Sequence, residues 1–314
     1  MQNQGRGTSA CRYTVGVFPR PPFDIPLPTG GTLHLGDRTL IMAVLNVTPD
    51  SFADGGQHAD PLRAVDDALA MEEAGADIID IGGESTRPGA SPVSADEELS
   101  RVAPVLRGLA GRLRVPISID TYKAVVAEPA LDLGAAIVND ISALMYDPAL
   151  PGVVARARAV VSLMHTRGRS RTMYQDAHYD NVVREVCAEL GERLRRAGEA
   201  GIPMSHVLVD PGIGFAKRAE HSSTLLARLE ELHALGRPLL VGPSRKSFLQ
   251  RATGERTPAA RDWGTAAAVT AAVLAGAHVV RVHAVPEMVD VVRVADMLRR
   301  DASVDRTVAE ARAT

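Results

Sequence analysis

Cysteine is scarce in this chain: two in 314 residues, Cys11 and Cys187, in no C-x-x-C pair. That excludes a disulfide framework and a dithiol redox motif, and it fits a reducing cytoplasm. Long apolar runs are missing too. Although 46% of the residues are hydrophobic, no run approaches the ~18 residues of a membrane span, so a soluble globular protein with a large core is expected. The stretch from Thr14 to Phe18 is too short for a signal-peptide core. Charge of one sign is lacking as well. With 35 basic against 38 acidic residues the net charge is −3, which gives no field to hold DNA or another nucleic acid. Any phosphate bound is expected to be small and held locally.

What is present is a repeat: a short β-branched apolar run, a polar loop with glycine, then a stretch rich in Ala, Leu, Arg and Glu. Strands are expected at 40–47, 77–82, 116–120, 137–141, 160–165, 206–210, 238–241 and 278–283. Each run is apolar throughout, as in parallel strands covered on both faces. Helices are expected to include 60–74, 95–110, 180–200, 221–235 and 286–299, the first two starting at Asp60-Pro61 and Ser94. About eight such units in roughly 250 residues predict an α/β fold, a (β/α)8 TIM barrel. A doubly wound open sheet is the rival, weakened because no G-x-G-x-x-G follows the first strand. Residues 1–31, rich in Pro and Gly, read as an irregular, partly disordered extension, 32–300 as the barrel domain and 301–314 as a tail.

A TIM barrel reacts at the C-terminal ends of its strands, and the polar residues gather there. Arg281 and His283 stand two apart at the end of the eighth run, and therefore on one strand face, while Ser244-Arg245-Lys246 follows the seventh. Two cationic strand ends suggest a phosphate site. A guanidinium inside an apolar run needs an anionic partner. Asn46 closes the first strand, Glu84-Ser85-Thr86-Arg87 follows the second, and Asp120 closes the third. Asn139 and Asp140 lie in the fourth, Met164-His165 end the fifth and Asp210 ends the sixth. Each has a plainer reading alone: Asp120 and Asp210 could cap the next helix, Asn46 could be a turn residue, and His283 a rim histidine. Their meeting at one end of one barrel favours a site. The loops 48–60 and 84–93 exceed the ~2–6 residues usual between strand and helix, as lids do. Of five phenylalanines, Phe52, Phe215 and Phe248 fall in or beside strand-end loops, explained either by a flat aromatic ligand or by loop packing.

Eight segments in order, Leu45 to Phe52, Asp80 to Gly89, Ser118 to Thr121, Val138 to Asp140, Met164-His165, Asp210 to Phe215, Ser244 to Lys246 and Arg281 to His283, resemble dihydropteroate synthase. The resemblance spans about Leu35 to Arg299. It implies a transferase that condenses 6-hydroxymethyl-7,8-dihydropterin diphosphate with 4-aminobenzoate, giving 7,8-dihydropteroate and diphosphate in folate synthesis. By the same resemblance Asp120, Asn139, Asp210 and Lys246 bind the pterin, Met164 and Phe215 border it, and Arg281 and His283 hold the diphosphate near Ser244 and Thr86. Asp120, Lys246, Arg281 and His283 are the implied catalytic set. Asn46 would coordinate Mg²⁺, and Phe52, Arg87 and Pro88 would shape the aminobenzoate pocket. A homodimer through the late helices is also implied. The pattern is departed from at Ala216, where many members have glycine, and at His221-Ser222, where they have His-Asn; this leaves Lys217 and His221 without assigned roles. A pterin-dependent methyltransferase, which carries no diphosphate and so leaves both cationic strand ends without a reason, and a non-enzymatic pterin- or phosphate-binding protein, against which the intact set Asn46, Thr86, Asp120, Asp210, Lys246, Arg281 and His283 counts, are the alternatives.

Overall fold

The computed structural model describes residues 17–48, 60–87, 89–169, 171–175 and 177–311, with side chains to 302. Eight parallel strands form the barrel: β3 (Leu40–Asn46), β4 (Ile78–Gly82), β5 (Ile117–Asp120), β6 (Ala135–Asp140), β7 (Val160–Met164), β8 (Val207–Asp210), β9 (Leu240–Val241) and β10 (Val279–Val282). They are ordered β8-β7-β6-β5-β4-β3-β10-β9. The two ends of that order meet at a parallel bridge between Val209 and Leu239, where the Val209 N–H donates to Pro238 O at 3.0 Å. This closes the sheet, so the TIM barrel holds and the open-sheet rival fails. Every residue of β4 to β9 is buried, which is why these strands read as unbroken apolar runs.

Helices between the strands cover the barrel: α1 (Pro61–Glu73), α2 (Ala95–Leu109), α3 (Ala124–Asp132), α4 (Leu150–Ala157), α5 (Val182–Glu199), α6 (Ala219–Ala227), α7 (Gln250–Thr253), α8 (Asp262–Leu274) and α9 (Val285–Ala311). Two starts follow local chemistry legible in the sequence. Asp60 accepts from the Leu62 N–H at 2.9 Å with Pro61 opening the helix, and Ser94 Oγ accepts from the Glu97 N–H at 3.1 Å.

Three expectations are corrected. The segment expected as one helix over 221–235 breaks at Arg228, whose φ of −127° is not helical, and continues as the 3-10 turn Leu229–Leu235. The expected tail is no separate element, because α9 runs on to Ala311. The extension is not wholly irregular either. Its β1 (Phe23–Pro26) pairs antiparallel with β2 (Thr32–Leu35), and Ile25, Leu33 and Leu35 pack on Leu40, Met42, Ile78 and Val279 at the N-terminal mouth of the barrel. The prolines lie at the ends of this two-stranded ribbon, where a missing N–H is tolerated.

Candidate active site

Because side chains alternate along a strand, β3, β5, β6, β8 and β10 each send one polar residue into the barrel mouth, and the loops after the strands supply the rest. A cavity of about 260 Å³ opens there. Asn46, Thr86, Arg87 and Asp120 line it from the first three barrel strands, and Asn139, Met164, Asp210 and Phe215 from the next three. Ser244, Arg245, Lys246, Arg261, Arg281 and His283 make up its cationic side. Phe52 and Pro88 lie outside the described residues.

Three residues of the recognised segments turn away. Asp140 caps its own loop, accepting from the Ser142 N–H and Oγ at 2.7 Å each, and so holds Ala143 and Leu144 in the left-handed region. Glu84 accepts from Tyr122 OH at 2.9 Å and from Lys123 Nζ at 2.6 Å, tying the start of the second long loop to the connection between β5 and α3. His165 is buried against Lys217 and Glu189. Phe248 packs into the core, so only Phe215 of the described pair borders the cavity.

The anion that Arg281 needs is supplied first by the protein itself, which corrects the reading of its strand. Arg281 donates from Nε to Asp80 Oδ2 at 2.6 Å and from Nη2 to Asp120 Oδ2 at 2.7 Å. Two of its five N–H donors are thereby used, and the remainder are available to the cavity it lines. Asp80 has no exposed surface, and it also accepts from Asn139 Nδ2 at 3.0 Å. It held no role in the sequence reading, yet it orients both Arg281 and Asn139. The signal was available: a lone carboxylate in Ile78-Ile79-Asp80-Ile81 needs a partner as much as Arg281 does.

Burial dominates the electrostatics. It pushes Asp120 up to about 7, with Arg281 opposing and Asp80 adding, and Asp210 up to about 6 against the Gly212 N–H bond. Asp120 Oδ1 is buried without a donor among the described residues, an acceptor in want of one. Lys246 is drawn down to about 7 by burial and then by Arg281, and its Nζ stands 3.8 Å from the centre of the Phe215 ring. His283 is held down to about 3 by burial, then by Arg281 and the other cations, and is therefore neutral. Ser244 Oγ accepts from the His283 N–H at 3.2 Å and lies 2.9 Å from its Nδ1. A hydroxyl donating to Nδ1 would leave the ring N–H at Nε2, facing the cavity, whereas the other tautomer would donate from Nδ1 to Ser244 Oγ.

Among the described residues no group of three His, Cys, Asp or Glu could cage a metal ion. The donor set fits Mg²⁺ only in the sparse mode, with the Asn46 amide oxygen as one hard ligand and substrate and water oxygens as the rest.

Below the cavity, Lys217 is buried with its Nζ 2.8 Å from His165 Nδ1 and donating to His165 O and Phe215 O at 3.2 and 3.0 Å. It thus joins the ends of β7 and β8. His221, by contrast, accepts from the Arg218 N–H at 3.3 Å and lies against Tyr179. Ala216 has a φ of +48°, a conformation that explains the family's glycine. Ala216→Gly should relieve about 1–2 kcal/mol of strain and forfeit about 0.5–1 to chain entropy. Thermal unfolding should show a variant at least as stable as the parent; a clear loss would mean that the methyl group is needed.

Residues 42–283 match the pterin binding enzyme family. The chain belongs to this family. It is 46% identical to the dihydropteroate synthase of Synechocystis over 279 residues, covering 88% of the chain and 96% of that relative. Against the Escherichia coli dihydropteroate synthase it is 46% identical over 256 residues, covering 82% and 90%. A solved Xanthomonas albilineans dihydropteroate synthase with 4-aminobenzoic acid superposes with a TM-score of 0.83 at 42% identity, covering 89% of this chain and 99% of that one. A Yersinia pestis dihydropteroate synthase in a sulfonamide complex also gives 0.83, at 40% identity and coverages of 88% and 100%. The chain is thus an enzyme of the dihydropteroate synthase type, a transferase of folate synthesis.

Proposed function

We propose that the chain joins 6-hydroxymethyl-7,8-dihydropterin diphosphate to 4-aminobenzoate by a dissociative, Mg²⁺-dependent displacement, giving 7,8-dihydropteroate and diphosphate. One observation carries this reading: a single cavity pairs buried carboxylates and an amide with Ser244, Lys246, Arg281 and His283. A Xanthomonas albilineans relative has been solved in complex with 7,8-dihydropteroate, at 41% identity and a TM-score of 0.76.

The pterin's 2-amino group and adjacent ring N–H are paired donors, and Asp120 and Asp210 are the matching acceptors. Asn139, held by Asp80, and Lys246 take the remaining ring edge. Arg281, Ser244 and His283, as the Nε2–H tautomer, face the diphosphate. Mg²⁺, bound by Asn46, would neutralise part of the diphosphate charge. As the CH₂–O bond breaks, its electron pair leaves with the diphosphate, and the electron-rich pterin spreads the positive charge on the methylene. The aromatic amine then forms the C–N bond and loses a proton to solvent. The chain's part is to hold both partners, stabilise the separating charges and keep water from the cation. Incubation with both substrates should yield a product with the mass of 7,8-dihydropteroate. Binding without product would favour the non-enzymatic alternative, and methyl transfer from a methylated pterin would favour the other.

The pH dependence has a defined sign. Asp120, pushed up to about 7, and Asp210, up to about 6, accept from the pterin as carboxylates, so acid removes the acceptors. Accordingly kcat/KM should fall as pH drops from about 7 towards 5. A profile flat to pH 5 would contradict these roles.

We further propose a homodimer through the late helices, where Trp263, Val294, Met297 and Leu298 are exposed large apolar residues. Sedimentation at the monomer mass would refute it. No helix among the described residues is long and apolar enough to cross a membrane. We assign the chain to the cytoplasm, which cell fractionation checks.

A further inference from the structure

Arg245 lines the cavity between Ser244 and Lys246, in the left-handed conformation with a φ of +58°. A glycine would take that conformation freely, whereas an arginine there is held by its surroundings. The surroundings come from one place, the start of α8. The Arg245 N–H donates to Thr265 Oγ1 at 3.0 Å, and its carbonyl accepts from Arg261 Nη1 at 2.8 Å. Its guanidinium donates to both oxygens of Asp262, Nε to Oδ1 and Nη2 to Oδ2, at 2.8 Å each. Backbone donor, backbone acceptor and side chain are all fixed by residues within one helical turn. Thr265 is fully buried, so its hydroxyl is not free to move away.

The consequence falls on the neighbours of Arg245. Ser244 meets His283 and Lys246 faces Phe215 because the chain reverses at the residue between them. We propose that the start of α8 is a clamp that presets this turn, making Asp262, which does not line the cavity, a positioning residue acting through Arg245 on Ser244 and Lys246. The bidentate geometry is specific to arginine, since a lysine would keep the charge and lose the fork.

The inference rests on the proposed condensation for its kinetic readout, so the test has a second arm independent of turnover. Asp262→Ala, Arg245→Gly, Arg245→Lys and the double variant Asp262→Ala/Arg245→Gly would be compared with the parent for kcat, KM, thermal midpoint and hydrogen exchange of the 243–248 segment. Both single deletions should lower kcat at least about tenfold with little change in thermal midpoint, and the double variant should be no worse than the poorer single. Arg245→Lys should fail to rescue turnover. Exchange in the segment should quicken in all the variants. Kinetic losses that multiply in the double variant, or activity kept in Arg245→Lys, would overturn the clamp. So would unchanged exchange. A parent enzyme that forms no product would instead sink the proposed function, while the exchange arm still decides the clamp. If Asp262→Ala does not fold, Asp262→Asn removes one of the two bonds and should show a smaller loss of the same kind.

Discussion

Arg281→Ala should lose both turnover and stability, and its stability deficit should grow with pH. The guanidinium is the shared cation of Asp80 and Asp120, which are 0% and 7% exposed, and alanine leaves both carboxylates buried without it. Breaking a buried pair by removing one partner costs about 3–5 kcal/mol. Arg281 is the largest influence holding the Asp120 pKa down against burial, so without it that carboxyl rises further above its unfolded value. A raised carboxyl disfavours folding progressively as pH climbs from the unfolded towards the folded pKa. The variant should therefore come closest to the parent near pH 5 and fall furthest behind it above pH 7. In the reaction, the loss of a donor aimed at developing charge is worth about 10²–10³ in kcat. Melts at several pH values and steady-state kinetics check both halves. Near-normal turnover, or a deficit that shrinks as pH rises, would contradict the double role.

Among the described glycines, Gly212 is where an added methyl group, as in Gly212→Ala, should do most damage. At φ +67° the added Cβ would lie 2.0 Å from the His165 carbonyl oxygen and 3.3 Å from Lys217 Nζ. Neither can yield easily, because His165 directly follows β7, donates its N–H to Asp210 O at 2.9 Å and accepts from Lys217, and the Gly212 N–H donates to Asp210 Oδ1 at 2.7 Å. A shift large enough to relieve the clash would move Asp210 and Phe215 together. A loss of about 3 kcal/mol or more in denaturant unfolding is expected, with weakened pterin binding in whatever remains folded. A variant as stable as the parent, binding pterin normally, would show that this loop is not the rigid support described.

The barrel was legible because parallel strands covered on both faces leave unbroken apolar runs, and seven-residue β3 shows this as plainly as four-residue β8. The β1 and β2 ribbon was hidden, since Pro26 and Pro28 with Gly30 and Gly31 obscure the alternation that buries Ile25 and Leu33. The segments around the site gave its members but not their facing. Asn139 and Asp140 read equally well in sequence, and only strand geometry sends one into the cavity and the other to its own loop. Asp80 is hidden in the apolar run Ile78–Gly82, where nothing local marks it as a partner of Arg281. Its partners, Arg281 and Asn139, lie 201 and 59 residues away, distances along the chain that local pattern does not bridge.

The measurement that bears most directly on the proposed reaction is diphosphate release from purified protein given the dihydropterin diphosphate and Mg²⁺, with and without 4-aminobenzoate. Release that depends on the amine, and falls by orders of magnitude in Arg281→Ala, is the predicted result. Release at the same rate without the amine, or none with it while the pterin still binds, would contradict the assignment of this cavity to the condensation.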